Sequence, residues 1–158
     1  MPPSLPWKQF GLAFVIAMLV YLFAYPAIEG RRTRNGPWEV RFAQNDAGIP
    51  TITINQPKLN LTSVTLAFPG RQPPATNEVR TFAQPRPVPV DMPFGQCIFM
   101  DTTFLPGTLV FNLYGHEIQL IPRTLSIDRK EVPWTSGATI VITNDGVLSP
   151  AAKGAKVP

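Results

Sequence analysis

The chain has 158 residues and a formal net charge of +4; 44% of its residues are hydrophobic and only 15% charged, which suits one domain plus an apolar segment rather than two domains. The single cysteine, Cys97, excludes an intramolecular disulfide framework, and the single histidine, His116, excludes a multi-histidine metal centre. Basic residues crowd together only at Arg31, Arg32 and Arg34, beside the apolar segment, so the clustered cationic face of a nucleic-acid protein is missing and no nucleic-acid partner is expected.

In chain order, residues 1–9 read as a short polar-ended tail and residues 10–28 as a transmembrane anchor. No charged side chain lies between Gln9 and Ile28. About twenty helical residues cross the roughly 30 Å hydrocarbon layer. Trp7 and Lys8 stand at one end of the run, and Tyr21, Tyr25, Arg31, Arg32 and Arg34 at the other. Amphipathic aromatics and cations at those levels are what headgroups select, so these residues form the expected membrane interface and the lipid bilayer is the first expected partner. Pro26 is placed to end the helix. Lys8 is weak as the charged region of a signal peptide and no small-residue cleavage site follows, so the anchor is read as uncleaved. Ala13, Ala17 and Ala24 lie on one helical face, a candidate surface for close approach of a second helix.

Topology is read from two opposing signals. The arginines outnumber Lys8 and favour a cytoplasmic domain, whereas long domains translocate largely regardless of flanking charge. The reading adopted is a single-pass inner (cell) membrane protein with its domain on the outer or periplasmic side. Residues 29–36 read as a polar, glycine-bearing juxtamembrane linker.

Residues 37–144 read as an all-β domain, an antiparallel β-sandwich or a small barrel. Short runs rich in β-branched and aromatic residues are divided by turn signals: 38–43, 50–54, 59–68, 78–82, 96–100, 108–114, 116–121, 124–128 and 139–143. Thr51-Ile52-Thr53-Ile54 alternates with the period of two that puts apolar groups on one face of a sheet. The clearest hairpin joins 108–114 to 116–121 through Gly115, which supplies positive φ. A second candidate runs from Leu125 through Asp128-Arg129-Lys130 to Val132 and Trp134. The proline-rich stretch from Pro69 to Pro93 is read as an extended edge or a long loop. Residues 145–158 carry no hydrophobic pattern and are read as a flexible tail.

Reactive constellations are scarce. His116 and Glu117 are adjacent on a strand and point to opposite faces, so they do not converge on one ion. Asp91, Asp101, Glu117 and Asp128 flank strands, and a carboxylate pair among them is the chemistry a hydrolase would need. Cys97 sits in an apolar run and reads as a small buried hydrophobe. Trp38 and Trp134 lie near strand ends beside charged residues and are the candidate platform for a small ligand or carbohydrate, against the alternative of packing residues. No catalytic, cofactor or metal residue is assigned, and no cofactor is expected. The expected function is a non-catalytic interaction or accessory module at a membrane, with a protein partner. A membrane-tethered ligand- or carbohydrate-binding domain is the alternative, with a carboxylate-based hydrolase behind it.

Overall fold

The computed structural model describes residues 7–73 and 77–143, together with the backbone of Gly146–Leu148. An N-terminal helix, α1 (Trp7–Thr33), leads into strands β1 (Trp38–Gln44), β2 (Pro50–Gln56), β3 (Leu61–Ala67), β4 (Glu78–Phe82), β5 (Val90–Met92), β6 (Gly95–Asp101), β7 (Thr108–Leu113), β8 (His116–Ile121), β9 (Thr124–Ile127), β10 (Lys130–Val132), β11 (Thr139–Thr143) and β12 (Gly146–Leu148). They form two six-stranded sheets, ordered β12-β11-β3-β2-β1-β4 and β10-β9-β8-β7-β6-β5. The second is an unbroken meander, and the expected all-β domain behind one apolar helix is what the chain adopts.

α1 is long and apolar enough to cross a membrane, and none of its residues is buried against the domain. It differs from the sequence reading at three places. The helix begins at Trp7, inside the segment read as a tail, of which residues 1–6 lie outside the described residues. Pro26 lies within the helix instead of ending it. A proline costs one backbone hydrogen bond, but a long helix with stable turns on both sides can carry that loss. Glu29–Thr33, read as linker, is helical. Arg32 pairs with Glu29 one turn back at 3.5 Å, the Thr33 hydroxyl donates to the Glu29 carbonyl at 3.0 Å, and Arg31 and Arg32 place positive charge on the negative end of the helix dipole. The true connection is therefore shorter, Arg34 to Pro37.

The inner faces of both sheets share one core. β1 contributes Trp38, Val40 and Phe42, and β2 contributes Ile52 and Ile54. The facing sheet supplies Leu109, Phe111 and Leu113 from β7 with Ile118 and Leu120 from β8, all fully buried. Alternate residues point outward, as Glu39 and Arg41 do, so the period of two in the sequence becomes the inside and outside of the sandwich. Both hairpins close on two-residue turns with positive φ at both positions: Tyr114 (53°) with Gly115 (86°), and Asp128 (49°) with Arg129 (65°). That conformation matches the right-handed twist of the flanking strands.

Three features depart from a plain antiparallel sandwich. β11 pairs with β3 in parallel. β5 forms within the proline-rich stretch and covers the edge of β6. Gly146–Leu148 pairs with β11, so the expected flexible tail contributes a strand; residues 149–158 lie outside the described residues.

Candidate functional site

Three regions collect polar or exposed groups: the junction with α1, a groove along one open side of the sandwich, and the turns at the far end.

The junction is built from backbone groups. The last carbonyls of a helix have no partner within it. Here the Arg32 carbonyl accepts from the Leu105 N–H at 2.7 Å, and Leu105 belongs to the loop between β6 and β7. The Thr33 carbonyl accepts from the Gly36 N–H at 3.0 Å. Gln56, only 1% exposed, then clamps the connection: its Nε2 donates to the carbonyls of Gly36 at 3.0 Å and Pro37 at 2.8 Å, while its Oε1 accepts from the Lys58 N–H at 3.2 Å. Trp38 follows, fully buried, its indole N–H donating to the Gly107 carbonyl at 3.0 Å. The connection is thus hydrogen-bonded on both sides and is not a loose tether. Gln56→Leu strands two carbonyls and one N–H; a buried group left unpaired costs about 1–3 kcal/mol. The expected results are a lower urea midpoint for the intact chain in detergent and faster amide exchange at Trp38 and Lys58.

The groove opens between the outer strands of the two sheets, β4 and β5. It holds about 560 Å³ and is lined by Glu78, Arg80, Gln84, Arg86, Asp91 and Met100 among others. Its charges are partly satisfied internally: Arg80 bonds Glu78 and reaches the Asp91 carbonyl, and the Asp91 carboxylate accepts from Gln96 Nε2 at 3.0 Å. β4 pairs with β1 on one side only, and Val79 is 48% exposed.

At the far end the two tight turns lie side by side. His116 Nδ1 meets Asp128 Oδ2 at 2.7 Å, and Asp128 Oδ1 accepts the Glu117 N–H at 2.9 Å. Asp128 thereby braces one hairpin against the next. Of the carboxylates picked from sequence, Glu117 and Asp128 border one open pocket at this end with Asn112, Gly115 and Arg129, whereas Asp91 and Asp101 lie elsewhere. Asp101 caps the β6–β7 loop, and the Thr103 N–H holds its carboxyl below the ordinary carboxylate value. Glu117 accepts from Gln119, and Asp91 lies on the groove. Among the described residues no group of three or more His, Cys, Asp or Glu side chains is placed to hold a metal.

Trp38 and Trp134 are brought together, but not as a platform. Their rings stack with centroids 5.5 Å apart. Trp38 has no exposed surface, and the half-buried Trp134 donates its indole N–H to the Ile121 carbonyl at 2.9 Å. The pair closes the helix-proximal end of the core, so the packing alternative holds, because both polar handles are spent on protein carbonyls. On α1, Tyr21 and Tyr25 stack at 5.5 Å one turn apart; Trp7, Lys8, Ala13 and Ala17 are exposed. Ala24 is half exposed.

Cys97 is buried opposite Phe111, beside a bulge that makes Ile98 an extra residue in β6. Burial pushes its thiol above the ordinary 9.0, partly offset by a backbone hydrogen bond of Phe99, and the thiol itself donates to the Phe99 carbonyl at 3.3 Å. A raised folded value means that this contribution to stability is complete below the unfolded pKa and is lost as pH rises through the folded one. The expected alkaline loss of stability should diminish in Cys97→Ala when unfolding midpoints are compared across pH 8–11. The native thiol should also resist aromatic disulfide reagents until the domain unfolds.

The fold and junction together define a β-sandwich carried, by direct backbone bonds, on one long apolar helix. Comparison of the chain with family models, curated proteins and solved structures finds no match among any of them.

Proposed function

We propose that this is a single-pass membrane protein whose β-sandwich is a non-catalytic interaction module, an accessory or structural subunit held at a set position over the bilayer. The observation that carries the reading is the junction. A helix of spanning length ends in a hydrogen bond to the domain at 2.7 Å, and Gln56 immobilises the short connection beyond it. A domain that only needed to stay near a membrane could hang on a flexible linker. One bonded to its anchor presents the same surface at the same height, which suits assembly with another membrane protein.

The groove between β4 and β5 is the contact surface this reading favours. An unpaired strand edge beside exposed apolar and charged groups accepts an extended segment of a partner. In this reading the domain lies on the outer or periplasmic face of the cell membrane, because long domains translocate largely regardless of flanking charge. Protease treatment of spheroplasts tests that side: digestion of the domain supports it and full protection reverses it.

The functional test is capture of the intact protein from membranes in mild detergent, followed by charge reversal of Arg80 and Arg86 in the groove. A stoichiometric membrane partner lost on Arg80→Glu with Arg86→Glu supports the reading. A second reading, a tethered small-ligand domain, draws on the groove volume of about 560 Å³, within the usual range of ligand sites. A monomeric protein with a small molecule bound in that groove would favour it over the first.

A further inference from the structure

We infer that the β6–β7 loop, residues 102–107, is a second membrane-contacting element, with Phe104 entering the headgroup layer beside the end of α1. The inference rests on the spanning-helix reading above and adds a specific lipid-facing residue to it.

Outside α1, the exposed large apolar side chains among the described residues are Val79, Val88, Ile98, Phe99 and Phe104. Phe104 is the most exposed, at 59%, although its neighbours Leu105 and Pro106 are buried. Ile98 and Phe99 precede it in the same strand and loop, 40% and 49% exposed. An isolated exposed phenylalanine on a soluble domain would need no explanation. The location of this one supplies it.

The Leu105 N–H bonds the Arg32 carbonyl at 2.7 Å, so the Phe104–Leu105 peptide is fixed at the level of the last helical turn. A span of about twenty residues counted from Lys8 leaves the hydrocarbon near Ile28. At about 1.5 Å per residue, Arg31 and Arg32 then stand about 5–6 Å farther out, within the headgroup layer. Phe104 is held in that same layer. Phenylalanine is among the apolar side chains that interfacial segments bury at the headgroup and acyl boundary.

Cations gather at this end of the sandwich, beside the exposed Asp101 at the foot of the loop. Arg31, Arg32 and Arg34 are joined by exposed Lys58, in the turn before β3, and exposed Arg123, in the turn between β8 and β9. Both turns lie at the end where Gln56 and Thr108 meet the junction. Cations around an aromatic tip match phosphate-bearing headgroups. The opposite end carries His116, Asp128 and the two tight turns.

The test uses the full-length chain in nanodiscs of phosphatidylcholine with phosphatidylglycerol, carrying one spin label at Phe104→Cys, Leu19→Cys or Ala47→Cys. Buried Cys97 stays unlabelled in the folded protein, which the wild type verifies. Collision with oxygen, concentrated in lipid, is compared with collision with a water-soluble nickel chelate. Leu19 reports the helix, and Ala47, on the exposed turn between β1 and β2, reports water. The expected oxygen-to-nickel ratio at position 104 lies clearly above that at position 47 and below that at position 19. A ratio at 104 equal to that at 47, with 19 still lipid-like, overturns the loop contact and leaves the anchor standing. A water-like ratio at 19 overturns the anchor and the loop contact together.

Discussion

Trp38→Ala should destabilise the β-domain by about 3–5 kcal/mol, the range for removing a large aromatic from a core. Trp38 is the first residue of the first strand and has no exposed surface. Its removal takes away the stack on Trp134 and leaves the Gly107 carbonyl without its indole donor. The cavity cannot collapse easily, because Gln56 and the Arg32–Leu105 bond fix the chain on either side. Trp38→Phe should fall between the alanine variant and wild type, since it keeps most of the apolar volume while losing the hydrogen bond and part of the stack on Trp134. Urea unfolding of the intact chain in detergent, followed by near-ultraviolet circular dichroism, measures both. Equal stability of Trp38→Ala and wild type would mean that the helix-proximal end of the core contributes nothing.

Gly107→Ala is the second large effect, and it acts on the same end. Gly107 has φ of 73°, and a Cβ built there would lie 1.8 Å from the Asp101 carbonyl oxygen, a backbone atom that cannot swing away. Left-handed strain of about 1–3 kcal/mol adds to overpacking of about 1–3 kcal/mol, for roughly 2–6 kcal/mol in total. Gly115→Ala is the control. It shares a positive φ, 86°, but its Cβ would meet nothing within 4 Å, so only the left-handed cost of about 1–3 kcal/mol applies. If both substitutions cost the same, close approach of the β6–β7 loop to Asp101 is not what makes Gly107 necessary. Because Gly107 accepts from Trp38 and closes the loop that caps α1, its loss should also free the helix end.

The sandwich was legible where local chemistry governs it. Alternation in Thr51–Ile54 and the positive-φ turn at Gly115 place strands without reference to the rest of the chain. What stayed hidden depends on distant partners. β5 is three residues long among prolines and exists because β6 offers an edge. The parallel pairing of β11 with β3 joins residues more than seventy positions apart, and no pattern within either strand reveals it. The helix extension to Thr33 draws on a donor for its free Arg32 carbonyl, the Leu105 N–H, a contact across the domain.

The candidate sites divide along the same line. The expected membrane-interface residues on α1 were read from hydropathy and charge in one stretch of chain. The tryptophans look alike in sequence, and only packing shows that Trp38 is spent on the core. Gln56 was missed altogether, because a glutamine at the end of a strand reads as a solvated polar residue. A signal was present in retrospect. Gln56 precedes Pro57 and ends a run whose alternation places it on the buried face with Ile52 and Ile54, which makes a buried amide the expectation and raises the question of what it bonds.

The central claim, a domain held by its anchor at a set position on a bilayer, is tested most directly by the tumbling of the β-strand amides. Nitrogen-15 relaxation of the full-length protein in a nanodisc should give these amides the rotational correlation time of the whole disc, with Gly36 and Trp38 as rigid as the strands. A strand correlation time well below that of the disc, close to that of a domain turning freely in water, would contradict the account.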